Sequence, residues 1–325
     1  FTVATTWGTL GDPQLTVGTD LRHVKQNLDE IASGRIGFLL IQDANSPLPQ
    51  SESTNPGIFL NSTLPIGERL SVSTGARVDW THTDVTEDPS KLTNLGFNPA
   101  PLQSSLADIL GTDRFDQNFA TWATFITGRY DLNDRWALLA GAGHSQRPPS
   151  LTELYVAESF LLLLQNGLNT ATGDPLLKPE KKWQLDLGLT CDYGRFRGRV
   201  NGYHAWINDY ITFENMGVFR GPPAGQIEQE WLKFVNTDWA VLTGFELSGE
   251  FDTTDWLMPF ATLRYVEGRD LTRDGSFATR RATPGSPSVR VPGLPRGFFS
   301  GIPGTPQESL AGIVPMESRL GIRVH

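Results

Sequence analysis

The chain has 325 residues, 38% of them hydrophobic and 10% aromatic, and its 27 Lys and Arg against 36 Asp and Glu give a net charge of −9. Nine Trp, 18 Phe and 6 Tyr exclude a disordered chain, which is poor in aromatics, and the acidic balance excludes a partner held by phosphate contacts, so no nucleic acid is expected. The longest apolar run, Phe160 to Leu164, is far short of the roughly 20 residues of a membrane-spanning helix. The single Cys191 closes no intrachain disulfide and builds no cysteine zinc site.

In chain order, one pattern recurs. Leu15, Val17 and Leu21 alternate with Thr16, Gly18, Asp20 and Arg22; Leu70 to Trp80, Trp183 to Tyr193 and Arg319 to Val324 alternate in the same way, and Trp136 to Ser145 also reads as a strand. Period two is the signature of a strand with one apolar and one polar face. Short connections carry Gly, Asn and Asp, which accept tight-turn geometry: Gly11-Asp12-Pro13, Ile66-Gly67-Glu68, Leu132-Asn133-Asp134, Asp192-Tyr193-Gly194 and Asp252-Thr253-Thr254-Asp255. Long loops are expected near 28–55, 82–118, 146–180, 214–229 and 269–315, alternating with the short turns.

In an antiparallel meander that alternation sends the short turns to one rim and the long loops to the other. The count is about twelve strands, many about ten residues long against the usual 5–6. The fold class expected is therefore all-β, an antiparallel meander forming part of a transmembrane β-barrel, with short periplasmic turns, long extracellular loops and the lipid bilayer as a partner. Trp80, Trp136, Trp183, Tyr193, Trp206 and Trp256 suit the interfacial girdles. The polar positions Arg77, Asp79, Asp186, Arg197, Arg199, Glu246 and Glu250, together with Gln184, Arg319 and Arg323, are expected to face the lumen and to pair across strands. A soluble β-rich binding protein shares the period-two pattern and is the alternative architecture.

Two motifs add a resemblance. Gln146-Arg147-Pro148-Pro149-Ser150-Leu151-Thr152-Glu153-Leu154-Tyr155 resembles "F-R-A-P-S-L-x-E-L-Y", and Gly173-Asp174-Pro175-Leu176-Leu177-Lys178-Pro179-Glu180 resembles "G-N-P-x-L-K-P-E", both of TonB-dependent outer-membrane receptors. Asn208-Asp209-Tyr210-Ile211 and the stretch from Phe234 to Leu247 are similar to later strands of that family. The resemblance implies a barrel of 22 strands closed by an N-terminal plug, of which residues 1–325 form a part without the plug. It also implies a place in the bacterial outer membrane, energy from the TonB complex through a region ahead of the barrel, and import of a small-molecule or metal-chelate ligand such as a ferric siderophore, haem or cobalamin.

Loop aromatics and cations are the expected ligand contacts, through stacking, cation–π and charge: Arg147, Tyr155, Phe160, Phe219, Arg220, Trp231, Phe298 and Phe299. No cofactor is expected. The five histidines His23, His82, His144, His204 and His325 show no metal-ligand spacing, and three Met make no copper site. Gly143-His144-Ser145-Gln146-Arg147 begins like the nucleophile elbow but lacks its last Gly and any following helix, so an outer-membrane hydrolase is the alternative activity and no catalytic residue is assigned.

Overall fold

The computed structural model describes residues 2–7, 13–36, 39–86, 93–95, 102–103, 106–159, 162, 169–221, 227–272, 309–310, 312–313 and 316–324, with side chains left undescribed in 31–45, 93–103, 108 and 215–231. Described elements run β1 (Thr2–Trp7), β2 (Gln14–Ile36), β3 (Leu39–Ile66), β4 (Leu70–Val85), β5 (Thr93–Leu95), β6 (Leu102–Gln103), α1 (Leu106–Leu110), β7 (Gln117–Asn133), β8 (Trp136–Arg147), α2 (Leu151–Tyr155), β9 (Asn169–Thr172), β10 (Glu180–Asp192), β11 (Phe196–Gly221), β12 (Ile227–Phe251), β13 (Leu257–Asp270) and β14 (Met316–Val324). The long strands pair in chain order, β1-β2-β3-β4-β7-β8-β10-β11-β12-β13-β14, while β5, β6 and β9 lie beside that path. Every pairing along the path is antiparallel. The all-β meander is thus the fold, and it is an open sheet: no pairing joins β1 to β14 among the described residues.

Two stretches expected as long loops are strand instead. β2 and β3 stay paired out to Ile36 and Leu39, and β11 and β12 out to Gly221 and Ile227. A hairpin satisfies every backbone N–H and C=O along its length, whereas an irregular loop must find partners for each. Neither stretch keeps the alternation of apolar residues that marks a half-buried strand, so period two could not reveal it. The short turns fall as expected where described, with Gly67 and Gly194 at φ 67° and 76°, the left-handed region that glycine enters without a Cβ clash.

The register fixes two faces. Arg77 opposes Ala123, Ala123 opposes Ser145, Ser145 opposes Lys182, Lys182 opposes Ile207 and Ile207 opposes Ala240. Because side chains alternate, this one row defines a polar face across six strands. Its opposite is apolar and open: Ile58, Leu60, Val78, Ile126, Leu185, Leu187, Leu247 and Ile322 are all exposed, Leu187 at 62%. On the polar face four aromatic rings lean over glycines directly opposite them, Phe59 on Gly18, Phe125 on Gly75, Tyr203 on Gly244 and Phe260 on Gly321. Each ring occupies the space where a Cβ would stand, which covers the bare backbone of the neighbouring strand.

Between β8 and β10 the chain folds back over the polar face. We call its described parts, 148–159 and 169–179, the strap. Glu30 of β2 accepts a hydrogen bond from Ser159, Ser159 pairs with Ala171, and Ala171 pairs with Leu232 of β12. In a flat sheet, β2 and β12, seven neighbours apart in the strand order, would be separated by about 34 Å at roughly 4.8 Å per step. Two intervening residues do not span that distance, so the sheet curls around the strap.

Candidate functional site

Three features of the curled sheet bear on function: the charged polar face, the strap that crosses its loop end, and the apolar face behind them.

On the polar face, Arg77 of β4 donates to Asp20 of β2 at 2.6 and 2.8 Å and to Asp79 at 2.6 Å. Gly57 of β3 lies between, opposite both Asp20 and Asp79. A Cβ there would stand 2.5 Å from Arg77 Nη2 and from Asp79 Oδ1, so the guanidinium crosses β3 through a gap that only glycine leaves. Nearer the short turns, Arg197 donates to Glu250 at 2.6 Å and to Asp252 at 3.0 Å, and Arg323 to Glu250 at 3.2 Å. Arg264 pairs with Glu246 at 3.0 Å. Asp186 accepts from Gln184 at 2.9 Å, and Arg199 has no ion-pair partner among the described residues. The seven residues expected at the lumen therefore share one face, where Arg77, Asp79, Arg197, Glu246 and Glu250 form separate cross-strand clusters. Three of their partners, Asp20, Asp252 and Arg264, were not singled out from the sequence, although Asp20 sits in register with the polar positions of its strand.

Two cavities flank Arg77. One, of about 560 Å³, is lined by Phe59, Asn61, Phe125, Ser145, Lys182 and Asp186 among others. The other, of about 580 Å³, is lined by Asp20, Arg22, Asn55, Thr121, Gln146 and Pro148, which places it where the strap begins.

The strap joins the two sequence motifs. Arg147, the last residue of β8, donates to Glu180, the first residue of β10, at 2.8 Å, and to both carboxylate oxygens of Glu153 at 2.9 and 3.0 Å. Glu153 in turn accepts from the Ser150 backbone N–H at 2.7 Å, and the Ser150 hydroxyl accepts from the Glu153 N–H at 3.2 Å. This is a capping box at the start of α2, and its signal, S-x-x-E, lies in the motif itself. Burial alone would push the Arg147 guanidinium down, but the hydrogen bonds to Glu180 and Glu153 together hold it above its ordinary value.

Tyr155 is 0% exposed. Its ring packs with Leu48, Leu151, Leu154, Leu177 and Ile211, its hydroxyl donates to the Phe115 carbonyl, and it shares a hydrogen bond with Thr83 at 2.8 Å. Burial pushes this phenol up to about 12. Of the other expected ligand contacts, Phe219, Arg220 and Trp231 lie on the outer part of the β11–β12 hairpin, with Phe219 opposite Gln229, Arg220 opposite Glu228 and Trp231 opposite Gly217; their side chains, and all of Phe160, Phe298 and Phe299, lie outside the described residues. Ser145 lines the first of the two cavities, while the adjacent His144 is on the opposite face, 5% exposed between Trp122 and Trp183 at ring distances of 4.1 and 4.3 Å. No group of three or more His, Cys, Asp or Glu that would hold a metal occurs among the described residues.

The apolar face is bounded by aromatics on both sides. Trp80, Trp122, Trp183 and Trp206 lie toward the loops, and Tyr130, Trp136, Tyr193 and Phe251 toward the turns. From Trp183 to Tyr193 is ten residues, about 33 Å along a strand, or about 25 Å when tilted by roughly 40°. That is the height of the lipid-facing band of an outer-membrane barrel.

These features define the wall of a transmembrane-type β-barrel. The sequence profile of the TonB-dependent receptor-like β-barrel matches residues 1–306, and the chain belongs to that family, whose members are receptors of the outer membrane. No curated protein sequence matches the chain. Among solved structures it is similar to the copper transporter OprC, with a TM-score of 0.62 and 18% identity, covering 100% of this chain and 40% of OprC. It is also similar to the Serratia marcescens hemophore receptor HasR, solved with its hemophore HasA and heme, with a TM-score of 0.52 and 13% identity, covering 82% of this chain and 40% of HasR. At these identities the likeness is one of fold, and the chain spans less than half the length of either protein.

Proposed function

We propose that this chain is part of the barrel of an outer-membrane importer, energised through TonB, that takes up a scarce small ligand such as a ferric siderophore, haem, cobalamin or another metal chelate. The observation that carries the reading is the division of the sheet into two faces, one apolar between two aromatic rows and one lined by cross-strand ion pairs. An exposed apolar area of this extent suits lipid, and the charged face suits a lumen filled by water and by a plug domain elsewhere in the protein. The family's receptors, and the copper transporter and hemophore receptor similar in fold, support transport over catalysis. So does the placement of Ser145 and His144 on opposite faces of β8, since a nucleophile and its base must be within hydrogen-bond reach.

In this reading the ligand meets the loop rim. Phe219, Arg220 and Trp231 on the β11–β12 hairpin would offer stacking and charge there. Arg147 and Tyr155 act from beneath, through the strap they hold.

The test is uptake by cells that carry or lack the protein, using radiolabelled ferric siderophores, haem, cobalamin and copper in parallel, with and without a protonophore. Accumulation of one ligand that depends on both the protein and the proton gradient is expected. Equal accumulation with and without the protein for all four, or uptake indifferent to the protonophore, contradicts the proposal.

A further inference from the structure

We infer that the strap is a fixed brace across the mouth of the barrel, not a lid that lifts, and that Arg147 is its positioning residue. The inference rests on the anchors and does not depend on what the receptor carries.

A lid is held at its hinges and free along its length. The described limbs of the strap are held along their length, and by strands from both ends of the sheet. Toward β2 and β3, Gln26 donates to Thr152 at 2.9 Å, the Ala157 N–H donates to the Pro47 carbonyl at 2.7 Å, and Ser159 donates to Glu30. Toward β4, Tyr155 meets Thr83. Toward β11 and β12, Asn236 accepts from the Lys178 N–H at 2.8 Å and donates to the Lys178 carbonyl at 3.0 Å, and β9 runs parallel to β12 through four residue pairs from Asn169–Glu230 to Thr172–Lys233. The two limbs are tied to each other as well, by Ser159 and Ala171 in both directions at 2.9 and 2.7 Å, and by the Gly173 N–H to the Val156 carbonyl at 2.7 Å. Beneath these bonds Leu151, Leu154, Tyr155 and Val156 are buried. Lifting the strap would break all of them and expose that apolar surface to water.

Arg147 sets where this brace starts. Its planar fork grips Glu153 in the strap and Glu180 at the foot of β10 together, and Glu180 also accepts from the Ile211 N–H of β11 at 2.7 Å. One guanidinium thus ties the helix of the strap to three consecutive strands. A lysine, with a single ammonium, does not reproduce that geometry.

The experiment is hydrogen–deuterium exchange of the intact receptor in detergent micelles. In the unsubstituted protein the amides of Leu154, Val156, Ala157, Ser159, Ala171 and Gly173 are expected to exchange within about tenfold of the β8 and β10 amides. Exchange at the rate of an unstructured peptide overturns the brace. Arg147→Ala is expected to speed exchange across 151–157 by at least about tenfold while β8 and β10 keep their protection, and Arg147→Lys to speed it nearly as much. Unchanged exchange in Arg147→Ala, full rescue by Arg147→Lys, or an equal rise in β8 and β10 overturns the role given to Arg147. The unsubstituted measurement decides the brace itself even where a variant fails to assemble.

Discussion

Arg77 reaches over a third strand to hold Asp20: the two residues lie on β4 and β2, and Gly57 of β3 passes beneath the guanidinium between them. Three strands are clasped by one side chain on the face where the barrel would be wet, and the clasp works only because the middle position has no Cβ.

Gly57→Val should therefore open the clasp. Its side chain would displace Arg77 and Asp79 together, and we expect a loss of about 2 kcal/mol, the range for overpacking a fitted site. Asp20→Asn removes one charge but leaves the space and keeps an acceptor for the guanidinium, so its loss should stay near about 1 kcal/mol. The heat needed to unfold the barrel, read from the band shift of unboiled and boiled samples on a detergent gel, should fall more for Gly57→Val than for Asp20→Asn. The reverse order would mean that charge and not space sets this contact.

Tyr155 gives the strap a pH dependence of known sign. Its phenol is held above the usual 10, near 12, by burial, so the folded strap favours the neutral form. The stabilisation is present in full below pH 10, where both states are neutral, and is lost as pH rises from 10 through about 12, where only the unfolded strap ionises readily. A phenol made tenfold less acidic by folding corresponds to about 1.4 kcal/mol. Amide exchange of 151–157, corrected for its intrinsic base catalysis, should accelerate between pH 10 and 12, and Tyr155→Phe should remove the acceleration.

The apolar face should refuse charge. Leu187 sits midway between Trp183 and Tyr193, where lipid is deepest in this reading, and Leu187→Arg should cost about 2–4 kcal/mol in folding into a bilayer. Asp186→Asn, one residue away on the other face, should cost under about 1 kcal/mol. Reversible folding into phospholipid vesicles under a urea gradient measures both. A neutral or stabilising Leu187→Arg would mean that this face meets water.

Much of the barrel was legible because alternation is a local property. Leu185 and Leu187 against Gln184 and Asp186 already state which side is apolar, and the faces of Arg77, Asp186, Arg197 and Glu246 follow from parity along each strand. What was not legible is contact across strands. That Arg77 meets Asp20, and not only Asp79, depends on a register set by two hairpins and on Gly57 between them. The outer hairpins were hidden for another reason: past Gln26 and past Glu214 the strands lose their apolar alternation, and backbone pairing alone keeps them extended. In the strap, the capping box was present as Ser150 and Glu153, yet the Arg147 that grips Glu153 also grips Glu180 in the second motif, and only the fold shows why the two motifs need each other. Tyr155 is expected as a ligand contact because it is an aromatic in a loop; that this loop lies folded against the wall, with Gln26 bonded to Thr152 across 126 residues of sequence, was not legible.

The central claim is that one face of the sheet meets lipid and the other the interior of the barrel. It is tested most directly by nitroxide labels placed singly from 183 to 190 of β10, in a Cys191→Ser background, with the protein in phospholipid vesicles. Collisions with oxygen, which concentrates in lipid, are compared with collisions with a water-soluble nickel chelate. The account predicts a ratio that alternates with period two, high at 185, 187 and 189 and low at 184, 186 and 188. A ratio that is flat along the strand, or high at the even positions, would contradict it.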